Sequence, residues 1–243
     1  MAFSIKDAKP MSQLSDNSGA KVLLYGPPGS GKTPSVIAAP RPIVCLTEAG
    51  ALSVKNIPLA KNIPGVPLFS PQAIRDFFAW FKSSTEVRHF DTIIIDSFSQ
   101  LAEILVKEYL GGKSKSGAKV DGKAAYGDMA RECMEYAEAM HYRMGINIIC
   151  IAKQGVFQEM GTDFTKPVFP GKDLNVRMPH LFDEIIHIGV HPECGVVDKS
   201  TLQCRASFNI LARDRSDTLA QYEHADFASL FQKIKAGIPL TPA

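Results

Sequence analysis

The sequence lacks several features that would mark a special class of protein. No apolar run reaches the roughly 18 residues that a membrane-spanning helix needs, and the first residues do not form a secretion signal, so we expect a cytoplasmic chain. Charge of one sign is not in excess, because 27 Lys and Arg face 25 Asp and Glu and leave a formal net charge of +2. Overall charge therefore predicts no polyanionic partner, and a nucleic-acid surface would need a local cluster.

Cysteine is too scarce and too scattered for a disulfide framework. The 243 residues contain five cysteines, an odd number, and Cys45 and Cys150 lie within apolar, strand-like runs. We interpret them as reduced core residues. With 45% hydrophobic and 21% charged residues, the chain instead has the composition of an ordinary globular protein.

Apolar runs typical of buried strands alternate with helical patterns along the chain. The strand-like runs cover residues 21–25, 42–46, 92–95, 147–152, 184–190 and 206–212. Helices are predicted from Ser70 to Phe81 and over residues 97–110, 124–144 and 226–236. This alternation predicts an α/β fold with a mostly parallel central sheet and helices on both faces. We expect one domain over residues 21–243, after an arm over residues 1–20 in which Phe3 could contact a neighbouring subunit.

One motif carries most of the functional information. The first predicted strand runs into G-x-x-x-x-G-K-T at residues 26–33, the phosphate-binding loop of nucleoside triphosphatases. Its glycines let successive N–H groups turn toward an anion, its lysine adds a positive charge for the phosphates, and its threonine hydroxyl suits Mg²⁺. A proline is tolerated in the first turn of the following helix. The residues predicted to bind nucleotide here are Gly26, Pro27, Pro28, Gly29, Ser30, Gly31, Lys32, Thr33 and Pro34.

A second acidic motif follows the strand over residues 92–95. Asp96 stands at the strand end where parallel sheets bind ligands, and we predict that it holds Mg²⁺ together with Thr33. It could also cap the helix that follows. Because Ser97 is not a glutamate, the general base must come from elsewhere, and Glu48, just after the second strand, is the candidate that could orient a water. An isolated acid at that position could equally be a solvated loop residue.

These motifs together carry a family resemblance. The chain combines GPPGSGKT, TEAGALS, the IIIDS strand end and IICIAKQG, and over residues 21–212 it resembles the RecA-like P-loop ATPases. It looks most like the small phage-encoded RecA-like proteins of single-strand annealing and recombination. The resemblance implies that Glu48 and Lys32 are catalytic and that Gln154 senses the γ-phosphate, from a strand lying between those that bear Lys32 and Asp96.

The same resemblance implies partners and cofactors. Members of this family bind ATP with Mg²⁺ between the subunits of rings or filaments, so a homo-oligomer is expected. Arg213 and Arg215 would then enter a neighbour's nucleotide site, although they could equally form a solvated basic turn. We predict an ATPase, stimulated by single-stranded DNA, that promotes annealing or homologous recombination. Full strand exchange is not expected, because no separate N-terminal DNA-binding domain is recognisable.

Two segments without regular patterning match the DNA-contacting loops of the RecA-like proteins. They cover residues 111–123 and 155–180 and contain lysines interleaved with glycine, serine and phenylalanine. Lysine and arginine would neutralise phosphates, and aromatic rings would stack on bases. The predicted contacts are Lys113, Lys115, Lys119, Lys123, Phe157, Lys166, Lys172 and Arg177, with Phe164 or Phe169 as further stacking surfaces. A lysine-rich loop could also simply be solvated.

Other interpretations stay open at this point. The protein could be a P-loop ATPase that acts on a protein as a motor or switch, or a nucleotide kinase. The kinase is disfavoured by the Glu48 and Asp96 arrangement and by the lack of an Arg-rich lid. Separately, a hairpin turning around Lys199 could gather zinc ligands, but the spacing matches no established zinc module. The candidate zinc ligands are His187, His191, Cys194 and Cys204.

Overall fold

The computed structural model describes residues 19–49, 51–112, 121–159 and 161–237. The predicted N-terminal arm and the predicted contacts Lys113, Lys115 and Lys119 lie outside these residues. The strands are β1 (Lys21–Gly26), β2 (Pro42–Leu46), β3 (Gly65–Pro67), β4 (Thr92–Asp96), β5 (Asn147–Glu159), β6 (Thr162–Val168), β7 (Glu184–His191), β8 (Val196–Gln203), β9 (Arg213–Asp214) and β10 (Tyr222–His224). The helices are α1 (Lys32–Val36), α2 (Pro71–Ser83), α3 (Phe98–Gly111), α4 (Gly122–His141), α5 (Lys172–Arg177) and α6 (Phe227–Ala236).

All the strands join one sheet in the order β10-β8-β7-β1-β5-β4-β2-β3, with β6 on β5 and β9 on β7. The central strands β7, β1, β5, β4, β2 and β3 are parallel, and the outer pairings are antiparallel. The strand of Gln154 lies between those leading to Lys32 and Asp96, as the resemblance implied. Within the described part of the chain, no helix is both long and apolar enough to cross a membrane.

Helices cover both faces of the sheet. On β1, Leu23 and Tyr25 belong to the core shared with α2, α3, α4 and α5, whereas Val22 and Leu24 belong to the core shared with α1 and α6. Successive side chains of a strand point to opposite faces, so a strand buried on both sides is apolar throughout. The predicted fold class, α/β with a mostly parallel sheet, is therefore confirmed.

The predicted helices form, and their starts are capped by side chains. The Ser70 hydroxyl accepts a hydrogen bond from the Ala73 N–H at 3.2 Å, with Pro71 in the first turn of α2. At α3 the cap is Ser97, which accepts from the Gln100 N–H at 3.2 Å. The suggestion that Asp96 caps this helix is therefore wrong, and its carboxylate is available for the phosphate side.

Three local predictions are wrong. Residues 206–212 form no strand apart from a single bridge between Thr165 and Ile210, because this segment is irregular until β9. The unpatterned segment over residues 155–180 instead contains the end of β5, all of β6 and α5. The edge hairpin does not turn around Lys199, which lies within β8; it turns at the short helix Pro192–Cys194.

Candidate active site

The phosphate loop leaves β1 and forms an open cradle. Gly29 and Gly31 have φ angles of 78° and 83°, which favour glycine, and a Cβ built on either would meet no atom within 4 Å. The buried Ser30 hydroxyl has no hydrogen-bond partner among the described atoms. Beside the loop lies a cleft of about 330 Å³ that Pro34, Lys199 and Ser200 help to line. The cradle and the adjoining cleft together suit an anionic group that belongs to a larger ligand.

Two side chains of the loop are already positioned for phosphate and metal. The Lys32 ammonium donates to the carbonyls of Gly26 and Pro27 at 2.8 and 2.7 Å, which keeps it at the mouth of the cradle. The Thr33 hydroxyl donates to Asp96 Oδ2 at 2.6 Å. The structure therefore brings together the two residues that the sequence predicted as a Mg²⁺ pair.

Burial makes the carboxyl of Asp96 reluctant to ionise. Its pKa is raised chiefly by desolvation and further by Glu48, while the Thr33 hydroxyl and the Lys32 charge act against this rise. The pKa of Lys32 is lowered by burial, and Asp96 and Glu48 oppose that effect. A divalent cation in this position would compensate the buried charge of Asp96 and its repulsion by Glu48, so the donor set fits Mg²⁺ bound with a nucleotide.

Glu48 follows Thr47 just after the end of β2, at the same end of the parallel strands as the phosphate loop. Its side chain is exposed, but it is near enough to act electrostatically on both Asp96 and Lys32. An exposed carboxylate beside the cradle can meet a water molecule, which a buried one in an ion pair could not do. The predicted general base is thus at the phosphate site, although its role stays a prediction.

Thr47 was not identified from the sequence, yet it joins the two strand ends of the site. Its hydroxyl accepts from the Ser97 N–H at 2.8 Å and donates to the Ser97 carbonyl at 3.0 Å, and its own N–H donates to the Asp96 carbonyl at 2.9 Å. Only 3% of Thr47 is exposed. The sequence did offer one signal, a threonine directly before the glutamate that follows β2. A hydroxyl at that position can form hydrogen bonds with the backbone groups that follow a neighbouring strand.

A sequence profile of the AAA domain family AAA_24 matches residues 18–216 of this chain. The chain belongs to the AAA domain family. No curated protein sequence matches this AAA domain. Among solved structures it is similar to a KaiC-like protein of the hyperthermophilic archaeon Pyrococcus horikoshii OT3, at 13% identity and a TM-score of 0.42, over 81% of this chain and 82% of that one. It is also similar to the RadB recombinase, at 16% identity and a TM-score of 0.44, over 79% of this chain and 84% of that one.

Gln154 of the AAA domain does not close its strand as predicted. β5 continues to Glu159 and pairs with β6 as an antiparallel hairpin, in which Gln154 is opposite Pro167. The Gln154 Oε1 atom lies 2.9 Å from His187 Nε2. His187 on β7 thus holds the candidate sensor Gln154. The residues around Gln154 in the sequence gave no sign of this contact, because His187 is 33 residues away.

The two arginines of the AAA domain differ in their surroundings. Arg213 donates to the carbonyls of Pro179 and Phe182 at 2.7 and 2.5 Å, so its guanidinium is engaged within its own chain. Arg215 is nearly half exposed and lies 3.7 Å from Asp183. The prediction of a charge for a neighbour's site therefore rests on Arg215, since Arg213 has a structural role that accounts for it.

The basic residues of the second predicted DNA segment flank α5. Lys172 and Arg177 are exposed at its two ends, and Gly171 before it lies against Tyr126 in the first turns of α4, near exposed Lys123. Lys166 is elsewhere, on the β5–β6 hairpin. Its ammonium is 4.7 Å from the ring centroid of Phe157 and 5.9 Å from that of Phe164. The buried Phe169 of the second predicted DNA segment is no stacking surface, since it is only 3% exposed.

Only the two histidines of the four suggested zinc ligands lie together, with His187 Nδ1 2.9 Å from His191 Nε2. Cys204 is buried in the core with α6, and Cys194 lies in the hairpin turn, 3.8 Å from the Thr201 hydroxyl. The described residues contain no group of three or more His, Cys, Asp or Glu side chains arranged to hold a metal ion. The zinc interpretation is not supported.

Proposed function

We propose that this AAA domain binds and hydrolyses ATP, binds single-stranded DNA, and uses the nucleotide state to support annealing or recombination. One observation carries the proposal. A single strand, β5, passes Gln154 beside the phosphate site and continues directly into a hairpin with a cationic and aromatic face. In this proposal residues 21–243 act as one ATPase domain, and the arm before it contacts a neighbouring subunit.

The chemistry follows from the residues around the cradle. Lys32 and the N–H groups of the loop hold the β- and γ-phosphates, while Thr33 and Asp96 hold Mg²⁺, which neutralises phosphate charge when bound. Glu48 orients the attacking water, and Gln154 reports the presence of the γ-phosphate. What supports this assignment is the 2.6 Å bond from Thr33 to Asp96 and the electrostatic influence of Glu48 on both Asp96 and Lys32.

The register of the β5–β6 hairpin supports the proposed DNA surface. Phe157 is opposite Phe164, and Lys166 is opposite Gly155, so these side chains share one face. A lysine over two rings pairs a phosphate-binding charge with surfaces on which bases can stack. The exposed Lys172 and Arg177 add further charge in the segment that follows. Such contacts bind a strand with little preference for sequence.

Arg215 and the phosphate loop lie at opposite ends of the parallel strands, and this supports the proposed oligomer. Asp214 of β9 pairs with Glu184, the first residue of β7, and Glu184 pairs with Val22 near the start of β1. The phosphate loop follows the last residue of β1. Arg215 therefore lies near the beginning of these strands, far from the phosphate loop of its own chain. In a head-to-tail assembly its guanidinium could then reach the nucleotide of the next subunit.

The test is ATP turnover by the full chain, with and without single-stranded DNA, over a salt series. We expect DNA to stimulate turnover at low salt and the effect to fade as salt rises. Absence of both stimulation and DNA binding at low salt would refute the DNA role and favour an ATPase that acts on a protein. Turnover that needs an added phosphate acceptor would identify a nucleotide kinase.

Variants separate the two halves of the proposal. Lys32→Ala should abolish ATP binding or turnover, and Glu48→Gln should bind ATP without hydrolysing it. Phe157→Ala should weaken DNA binding about 5- to 150-fold, the range for loss of one stacked base, and Lys172→Ala should lower the salt dependence. The matched control is Lys235→Ala, which removes the same charge from α6 on the other face of the sheet. Equal effects of Lys172→Ala and Lys235→Ala would refute the DNA face.

A further inference from the structure

A continuous line of polar side chains runs from Gln154 into the edge of the sheet. His187 Nε2 lies 2.9 Å from Gln154 Oε1, and His187 Nδ1 lies 2.9 Å from His191 Nε2. His191 Nδ1 in turn lies 2.9 Å from the Thr201 hydroxyl on β8. The two histidines are 6% and 2% exposed, so almost no water competes for these bonds. Nothing in the proposed reaction yet uses them.

The order of donors along this line follows from the groups themselves. A carboxamide oxygen only accepts, so His187 Nε2 must donate to Gln154. A neutral imidazole has one donor nitrogen, so His187 Nδ1 accepts and His191 Nε2 donates to it. His191 Nδ1 then accepts from the Thr201 hydroxyl. With Gln154 Oε1 on the His187 side, every member is satisfied in this direction, with both imidazoles neutral.

The surroundings keep the first imidazole neutral and in place. Burial lowers the pKa of His187 to about 4, with His191 and Lys32 adding to the effect. Its ring packs against Tyr25 with the two centroids 5.1 Å apart. On the other side, a Cβ added to Gly189 would come within 2.9 Å of His187 Cε1, so the lack of a side chain there makes room for the ring.

We infer that His187 is a positioning residue for Gln154: it fixes the carboxamide with Oε1 toward β7, so that the Nε2 amide faces the phosphate site as a donor. The inference rests on the proposed role of Gln154 as γ-phosphate sensor. A carboxamide turned the other way would present an oxygen to the phosphate and repel it. The direction of the histidine pair thus decides whether the sensor can bind its signal.

The first test reads the hydrogen positions without any activity. Nitrogen-15 NMR of the full chain at pH 7 distinguishes imidazoles protonated at Nε2 from those protonated at Nδ1, and His187→Phe and His191→Phe variants assign the signals. We expect both residues to be neutral with the proton on Nε2. A proton on Nδ1 of either histidine, or a charged ring, would overturn the inference whether or not the protein binds DNA.

The second test is a double-mutant cycle between Gln154 and His187, read as ATP affinity and as turnover with single-stranded DNA. Losing one hydrogen bond to a charged group lowers a rate about 10- to 100-fold, so Gln154→Ala and His187→Phe should each lower kcat by that factor while ATP affinity changes little. In the Gln154→Ala background, His187→Phe should cause no further loss. His187→Gln keeps a donor and should restore part of the rate.

The outcomes separate the inference from the proposed function. Normal turnover by Gln154→Ala would refute the sensor role on which the inference rests. An impaired Gln154→Ala variant beside a normal His187→Phe variant, or losses that simply multiply, would overturn the inference alone. Gly189→Ala offers an independent check, because its added methyl displaces the His187 ring without changing either partner; we expect it to lower kcat in the same direction, and wild-type turnover would contradict the inference.

Discussion

Replacing Thr47 by valine keeps the shape of the side chain but should weaken the link between the two strand ends of the site. The hydroxyl is the partner of the buried Ser97 N–H at 2.8 Å, and valine would leave that N–H unpaired at a cost of about 1–3 kcal/mol. The Ser97 carbonyl would lose its second donor but keep the Leu101 N–H at 3.0 Å, which adds about 0.5–1.5 kcal/mol. We therefore expect the free energy of unfolding to fall by roughly 2–4 kcal/mol, a large share of a typical total of about 5–15.

Thr47→Ser is the matched control, because it keeps the hydroxyl and loses one methyl group, worth about 1 kcal/mol. Urea unfolding followed by circular dichroism measures both variants, and Mg²⁺-dependent ATP binding shows whether Asp96 has moved. The valine variant should lose stability and Mg²⁺-dependent affinity together. A cost below about 1 kcal/mol for valine, or equal costs for valine and serine, would refute the reasoning that the hydroxyl secures the two strand ends.

Three further predictions concern the framework of the site. Gly26→Ala would bring a Cβ within 2.2 Å of a carbonyl oxygen of β7, so we expect at least about 3 kcal/mol of destabilisation in thermal unfolding. Gly29→Ala has open space and meets only the strain of its φ of 78°, so it should cost about 1–2 kcal/mol; equal losses in the two variants would contradict this. Burial and nearby acids raise the pKa of Glu184 from 4.5 to about 8, so the free energy of unfolding should fall by up to about 5 kcal/mol as pH rises between these values. Glu184→Gln should remove this fall. A constant difference in stability between the two proteins at pH 5, 7 and 9 would refute the prediction. The Tyr25 hydroxyl shares its hydrogen between the Leu211 carbonyl at 2.6 Å and the Thr165 carbonyl of β6 at 3.2 Å. Tyr25→Phe should therefore speed amide hydrogen exchange in the β5–β6 hairpin. Unchanged exchange there would count against this contact as an anchor of the hairpin.

The parts of the structure that sequence could predict are those set by local rules. The phosphate loop, its strand and the acid at Asp96 are encoded within a few residues by glycine positions and apolar runs. Ser70 followed by Pro71 marked a helix start, and α2 begins there. The fold class followed because strands buried on both faces must be apolar throughout.

The parts that sequence could not predict depend on distant partners or on edges. β8 was missed because Asp198, Lys199 and Ser200 face solvent at its middle and hide its period. The pattern of the β5–β6 hairpin predicts a loop, because Gly155 and Pro167 are usual loop residues, yet both lie within strands here. The segment over residues 206–212 is apolar like a strand, but its backbone pairs with β6 only at the bridge between Thr165 and Ile210. His187 lies in a predicted strand, but its partner Gln154 is 33 residues earlier in the chain.

The order of strands in the sheet also determines when the site can exist during synthesis. Among the described strands β1 is made first, yet it pairs there only with β5 and β7, through partners such as Ile148 and Glu184 that are more than 120 residues later. Until β5 has left the ribosome, the strand that ends in the phosphate loop has no place in a sheet, and its N–H and C=O groups are exposed for pairing with other chains. Nucleotide binding therefore waits until β5 and β7 have been made, and such long-range pairing slows folding. A chain released early would carry the whole phosphate motif and still bind nothing.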